Sequence, residues 1–153
     1  MSCGLCCDGG LFELVELNEE DQQRLAAHGL VASEKLQHPC PHFIAPACSI
    51  YRIRPFRCSD YTCRVLEGML QGELEPGAAH GLVEQALAMR KLVQDALPGD
   101  VTADRLARDL LSESAENRAP ARLLALARFA AFRIFVERHF LGPKSRWMTR
   151  KSA

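Results

Sequence analysis

The spacing of apolar residues predicts a helical second half. Over residues 78–97, leucine, valine, alanine and methionine recur at intervals of three and four, which places them on one face of a helix. The same kind of spacing predicts a second helix over residues 101–112. Pro120 suits the first turn of a third helix, which we expect to continue to about residue 140. Because this third segment is apolar nearly all round, it is predicted to be the central, buried helix.

The first half carries weaker patterns, with one short strand and one helix. Residues 11–17 alternate between two faces, as a strand does. Asn18 is suited to cap a helix over residues 19–27, and Asp21 is placed three residues later to reach back to that cap. Gly29 marks the end of this helix.

Prolines interrupt the pattern that follows. Three of them fall within residues 37–48, which predicts a loop, and residues 48–63 carry Pro55 and little regular spacing. The predicted fold class is therefore mainly α. We expect an irregular, cysteine-rich, metal-binding N-terminal half with a short strand and helix, followed by a helical C-terminal half of about three helices. The predicted parts of this single domain, residues 1–153, are a cysteine-cluster segment over 1–68, a helical part over 76–143 and a basic tail over 144–153.

Composition and charge narrow the classes of function. Of the 153 residues, 48% are hydrophobic and 25% are charged, which suffices for a conventional core without cross-links. The formal net charge is zero, so nothing draws the chain generally to nucleic acid or anionic membranes. The most apolar stretch, residues 123–141, is interrupted by charges and does not fit a membrane-spanning helix. The N-terminus lacks a signal-peptide pattern, so we expect the reducing cytoplasm, where structural disulfides are rare.

The cysteines carry the candidate chemistry, because all seven fall in the first 63 residues. Unpaired thiols gathered in this way are typical of metal ligands or redox groups. Seven thiolates exceed the four that one tetrahedral zinc ion or one cubane cluster needs. Either some cysteines do not ligate, or the site holds more than one ion, since two tetrahedral ions that share a bridging sulfur need seven ligands. The cysteines are Cys3, Cys6, Cys7, Cys40, Cys48, Cys58 and Cys63.

The segment Cys3-Gly-Leu-Cys6 is a C-x-x-C pair, whose tight turn lets two sulfurs converge on one ion. Gly4 is suited to this turn because it adopts positive φ freely and has no Cβ. The adjacent Cys7 is expected to aim in a different direction from Cys6. One of the two is therefore expected to ligate the first ion, while the other bridges two ions or serves a second ligand position.

Other residue types near the cysteines have two interpretations. Four arginines can balance the negative charge of the thiolates or form an ordinary exposed basic loop. His38 and His42 flank Cys40, but a histidine of this kind is more often structural than ligating. Tyr51 and Tyr61 can donate O–H bonds, although packing is the role we favour. The arginines are Arg52, Arg54, Arg57 and Arg64.

Three sequence elements together resemble the YkgJ-type cysteine-cluster family, which is described as a zinc- or iron-chelating domain. They are Cys3-Gly-x-Cys-Cys7, Cys40-Pro-His-Phe and Cys48-Ser-Ile-Tyr-x-x-Arg-Pro-x-x-Cys58, followed by Cys63. The resemblance covers about residues 3–66. It implies that all seven cysteines belong to the chelating cluster and that Tyr51, Arg54 and Pro55 shape it. The family pattern often begins with a further cysteine, at a position that would precede Met1 here.

Several functions follow from this resemblance. The favoured one is a protein that binds zinc or iron through its thiolates. Longer proteins with a similar cluster include flagellin lysine N-methylases, which resemble iron–sulfur enzymes, and this analogy slightly favours an iron–sulfur cluster. The chain has no Gly-rich cofactor loop, so an accessory subunit or redox catalyst is the enzymatic alternative.

A third alternative is a zinc-stabilised module that binds a protein partner through its helical half. The sequence argues against nucleic-acid binding, because it has a single C-x-x-C unit and no basic and aromatic stripe.

Overall fold

The computed structural model describes residues 3–31, 33–97, 112 and 119–142. This part of the chain is mainly helical, with two small antiparallel sheets, which confirms the predicted fold class. It divides into two compact units. The first unit comprises the described residues up to Glu73 together with Leu141 and Gly142, and the second comprises those from Leu74 to Phe140. All seven cysteines lie in the first unit.

Strand β1 (Leu14–Glu16) pairs antiparallel with β2 (Lys35–Gln37), and Val15 lies opposite Leu36. The strand is shorter than the predicted 11–17, because the chain before it bonds elsewhere. The N–H of Leu11 donates to the carbonyl of Leu5 at 3.0 Å, and so joins the cysteine turn rather than a strand ladder. Both of these leucines are buried in the core of the first unit.

Helix α1 (Glu19–Ala26) follows, and Asn18 caps it as predicted. The Asn18 side chain accepts a hydrogen bond from the N–H of Asp21 at 2.7 Å. The predicted return contact from the Asp21 carboxylate is not the one that forms. That carboxylate accepts instead from the Arg24 guanidinium and from the N–H of Phe56. Its partners lie on its own helix and on a segment far along the chain.

Residues 37–48 form no helix, as their prolines predict, but they are not loop throughout, because they contain a small hairpin. Strand β3 (Phe43–Ile44) pairs with β4 (Ala47–Cys48). Pro46 lies between the strands, where its missing N–H removes no bond of the ladder. Proline therefore signals the turn of this hairpin rather than the absence of strands.

Short helices occupy the remainder of the first unit. A 3₁₀ turn (Tyr51–Ile53) precedes α2 (Phe56–Asp60), and α3 (Arg64–Leu70) begins after Cys63. The Cys63 sulfur caps α3, since it accepts from the N–H of Leu66 at 3.5 Å. A thiol replaces the usual hydroxyl or carboxylate at this cap.

The second unit is a pair of long helices, α4 (Pro76–Ala96) and α5 (Pro120–His139). Each helix begins with a proline in its first turn, where the missing N–H has no partner to lose. Helix α4 packs on α5, and both bury one face. The buried side chains are Ala79, Val83, Ala86 and Val93 of α4 and Ala125, Phe132 and Val136 of α5.

The prediction that α5 is the central, buried helix is wrong, because α5 buries only one face. Leu123 and Leu124 are exposed, and Ile134 has 66% of its surface in solvent. The helix predicted over residues 101–112 lies outside the described residues except for its last position, and the predicted basic tail lies outside them entirely. Among the helices described, none combines the length and apolar character needed to cross a membrane.

Candidate metal centre

The first three cysteines lie in one tight turn. Gly4 has the positive φ that its place in the turn predicts, +71°. Its carbonyl accepts from the N–H of Cys7 at 2.8 Å and from that of Asp8 at 2.9 Å. A Cβ at Gly4 would overlap the ring of Phe43, so the hairpin packs directly on the turn. Leu5, which is fully buried, anchors the turn in the core.

Main-chain bonds bring the next two cysteines to this turn. The N–H of Cys40 donates to the carbonyl of Cys7 at 2.7 Å, and the N–H of Phe43 donates to the carbonyl of Cys40 at 3.0 Å. Cys48 is then placed by the hairpin, in which it pairs with Phe43. Segments distant in sequence are thus fixed together without any help from the sulfur atoms.

The last two cysteines belong to α2 and to the cap of α3, and a buried carboxylate positions the chain before them. Asp21 is only 1% exposed and accepts from the N–H of Phe56 at 2.9 Å. Arg24 holds the same segment through the carbonyls of Ile53, at 3.3 Å, and Arg54, at 3.1 Å. An acid and a base of α1 therefore fix the start of the helix that carries Cys58.

The role of Asp21 was missed from the sequence, although a signal exists. Asp21 lies four residues before Leu25, so the two share one face of α1, and both are buried. An acid on the apolar face of a helix needs a partner, because burying an unpaired charge is costly. Its position predicts a buried contact rather than a cap.

All seven thiols are free, and every one lies within range of the charge of others. Burial raises the pKa of Cys58 to about 12, and the charges of Cys7, Cys40 and Cys48 add to the effect. The pKa of Cys7 is likewise raised to about 11. Burial is the largest cause, and the charges of Cys40 and Cys48 are the next largest. These four thiols therefore lie close enough for their charges to interact.

The charges of the other three thiols also interact with one another, and those of Cys3 and Cys6 interact with Cys7 as well. Burial raises the pKa of Cys6, and the charges of Cys3 and Cys63 are the next causes. The pKa of Cys63 is also raised by burial, and the charge of Cys3 adds to that increase. Backbone N–H groups act in the opposite direction at Cys63, as they do at Cys40. Such donors stabilise a thiolate once it forms.

The sulfurs are gathered but do not enclose a site. In the part of the chain that the structure describes, no set of three or more His, Cys, Asp or Glu side chains is arranged to hold a metal ion. The donor set nevertheless fits soft or borderline ions, because thiolates suit zinc and iron–sulfur clusters. Closure around an ion would require the side chains to move toward one another.

The residues that the family resemblance implies around the cluster have other contacts here. Tyr51 is 64% exposed, and the guanidinium carbon of Arg54 lies 3.8 Å from the centre of its ring. Pro55 is buried. Arg57, one of the arginines predicted to balance the thiolate charge, forms an ion pair with Glu16 at 3.3 Å. Their influence on a metal site stays a prediction, as does charge balance by the exposed Arg52 and Arg64.

Tyr61 is the tyrosine that lies beside the sulfurs. Its ring meets Phe12 edge to face, with 4.8 Å between centroids. Burial raises its pKa, and the charges of Cys6, Cys63 and Cys3 add to the increase. Tyr61 therefore packs as the sequence predicts and also places a phenol close to Cys3, Cys6 and Cys63.

The histidines take different positions near Cys40. The Nδ1 atom of His38 is buried without a hydrogen-bond partner, and burial lowers the pKa of the ring. The carbonyl of His42 accepts from the N–H of Ser49 at 2.9 Å, which ties the two ends of the hairpin together. Neither ring belongs to a formed metal site among the described residues.

Comparison of the chain with protein-family models, curated proteins and solved structures finds no match. The resemblance to the cysteine-cluster family therefore stays a hypothesis based on the motifs themselves.

Proposed function

We propose that the chain binds zinc or iron, the latter as an ion or an iron–sulfur cluster, through the cysteine thiolates of its first unit. The observation that carries the proposal is that seven free thiols from separate segments all lie in the first unit, within range of one another's charge. A chain with this share of hydrophobic residues does not require them as cross-links. In a reducing cytoplasm, where we place the protein, they would stay unpaired and available to metal.

The chemistry of the thiols supports this proposal. Burial and mutual repulsion raise the pKa of Cys6, Cys7 and Cys58, so these groups keep their protons at neutral pH when no cation is present. A bound cation favours the deprotonated thiolates, because it attracts each of them and offsets the repulsion between their negative charges. Metal binding would therefore release protons and draw the sulfurs inward.

The residues around the sulfurs would hold the centre in place. The bond from Cys40 to Cys7 and the pairing of Cys48 with Phe43 hold the backbone of these three cysteines together before any metal binds. The bound group itself would supply structural cross-linking if it is zinc and electron transfer if it is an iron–sulfur cluster. The methylase analogy favours the cluster. The two alternative functions, an accessory subunit and a zinc-stabilised module that binds a protein partner, would both use this same metal centre.

The first experiment is elemental analysis of anaerobically purified protein, together with its visible spectrum. We expect stoichiometric zinc in a colourless protein, or iron and sulfide in a brown one. Cys6→Ser and Cys58→Ser should each lose metal and lower the melting temperature, because metal binding contributes to folding free energy.

Ser59→Ala is a suitable control, since Ser59 is exposed on the helix that carries Cys58. It should keep both the metal and the melting temperature of the wild type. If both cysteine variants also retain full metal and melt like the wild type, the cysteines do not form a metal centre.

A further inference from the structure

We infer that the outer face of α5 binds an amphipathic helix of a protein partner, whose own apolar stripe is flanked by acidic residues. The inference concerns the second unit and goes beyond the proposed metal centre. It is carried by the apolar side chains that α5 leaves in solvent and by the arginines beside them.

The face of α5 opposite its buried side chains is apolar. Successive residues of a helix are about 100° apart, so Leu123 and Ile134, nine residues before and two residues after the buried Phe132, lie on the opposite side of α5. Exposed apolar patches of this kind mark interaction sites. The outer stripe, as we name this face, consists of the exposed residues Leu123, Leu124, Ala127, Ala130, Ala131 and Ile134.

The spacing within the outer stripe fits a further helix. Its seam residues follow one another at intervals of four, three and four, the spacing by which one helix packs along another. The seam residues are Leu123, Ala127, Ala130 and Ile134. The two alanines in the middle let a second backbone approach closely, while the larger side chains at the ends pack around it. An extended strand repeats every second residue and would not match this seam.

Arginines border the outer stripe and select the charge of the partner. Helix α5 carries four arginines and a single acid, Glu137. Arg128 lies one turn after Leu124 and Arg133 one turn after Ala130, which places the two arginines on opposite edges of the stripe. Because both edges are basic, a helix with acidic residues on either side of its stripe would be complementary to them.

The same charges disfavour a second copy of this chain as the partner. In an antiparallel pair that sets Leu123 of each copy against Ile134 of the other, the Arg128 side chains of the two copies would lie side by side. A parallel pair would set one arginine edge against the other. Like charges in these positions repel. With an acidic partner helix bound, α5 would lie between that helix and α4, which accounts for a sequence that is apolar nearly all round.

Two synthetic peptides test the inference on the full chain. The first has leucine at both seam positions of each heptad and glutamate on either side, and the second has lysine in place of every glutamate. Fluorescence anisotropy of the labelled peptides measures their binding. The glutamate peptide should bind at least about tenfold more tightly than the lysine peptide, and added salt should reduce this difference.

Substitutions in the chain locate the binding surface. Ile134→Glu should weaken binding of the glutamate peptide by about tenfold or more, because it places an acid within the stripe. The matched control is Leu92→Glu at an exposed leucine of α4, nine residues after the buried Val83 and therefore on the side of α4 opposite its buried face. This control should bind like the wild type. Arg128→Glu should reduce the preference for the glutamate peptide, and circular dichroism establishes that each variant is folded.

Equal binding of the two peptides, binding of neither, or full binding by Ile134→Glu would overturn the inference. Light scattering of the chain alone decides between the two kinds of occupant. A wild-type dimer that Ile134→Glu converts to a monomer would assign the outer stripe to a second copy and overturn the acidic partner, whereas a monomeric wild type agrees with it. None of these outcomes depends on whether the chain binds metal.

Discussion

At Gly4, the turn that carries the first three cysteines packs against Phe43 of the β3–β4 hairpin. Replacing it with alanine adds a Cβ where the ring of Phe43 already lies and also strains a backbone with φ of +71°. Alanine at positive φ costs about 1–2 kcal/mol, and overpacking adds about 1–3 kcal/mol. Gly4→Ala should therefore reduce the free energy of unfolding by about 2–5 kcal/mol, measured by urea denaturation.

Gly72→Ala separates the two contributions, because Gly72 has nearly the same φ, +74°, and a Cβ there would meet no atom within 4 Å. Gly72→Ala should lose only the stability that the strained backbone costs, and none from overpacking. Replacing Phe43 with leucine in the Gly4→Ala background should recover some of the additional loss. Equal losses in Gly4→Ala and Gly72→Ala would show that the ring contact carries no energy.

Single residues differed in how far the sequence could place them. Gly4 was predictable because a tight turn between two cysteines has few solutions and glycine fits them. Tyr61 was not, because its neighbours Phe12 and the cysteines come from three separate parts of the chain. The local sequence pattern predicts helix faces and turns, whereas contacts between distant segments, such as those of Tyr61, depend on tertiary packing.

At the scale of elements, a buried ion pair connects α1 to the chain that leads into α2. Asp21→Ala removes the acceptor for Arg24 and for the N–H of Phe56. Hydrogen bonds to a charged group contribute about 1.5–3 kcal/mol, and partial exposure of Arg24 moves the expectation toward the lower end. We expect a loss of about 1–2 kcal/mol in urea denaturation of the full chain.

The matched control is Glu20→Ala, which removes an exposed acid from the same first turn of α1. It should change stability by less than about 0.5 kcal/mol. Asp21→Ala should also weaken metal retention, since it frees the segment before Cys58. Stability equal to that of Glu20→Ala would mean that the buried pair does not hold α2.

Element length explains which elements could be predicted. Helix α4 has 21 residues, and its apolar spacing repeats often enough to be recognised. Helix α2 has five residues and strands β3 and β4 have two each, so no period can be established within them. The exposure of Ile134 was missed for another reason, since apolar content alone does not say which face of a helix packs.

At the scale of the whole molecule, the thiols link stability to pH. In the metal-free protein, the pKa of Cys7 is about 11 and that of Cys58 about 12, against an ordinary value of 9.0. Below pH 9 both groups are protonated in the folded and the unfolded chain. Above pH 9 the unfolded chain ionises first, so stability should fall as the pH rises from about 9 to 12.

Urea midpoints of the metal-free chain at pH 8, 9 and 10 measure this fall. The stability of Cys58→Ala should fall less steeply with pH, because this variant has one thiol fewer to ionise. Metal-loaded protein should behave in the opposite way and weaken toward acid, where protons compete for the sulfurs. A metal-free chain equally stable at pH 8 and pH 10 would contradict the burial of these thiols.

The bond between Cys40 and Cys7 closes a loop that runs through β1, α1 and β2, and Gly29 lies in that loop with open space around it. The entropy of closing a flexible loop grows only with the logarithm of its length, so doubling the length costs about 0.6 kcal/mol. Extra residues inserted at Gly29 would therefore leave the sulfurs in place. This turn is a natural attachment point for a peptide tag or fluorescent label that reports on the centre without disturbing it.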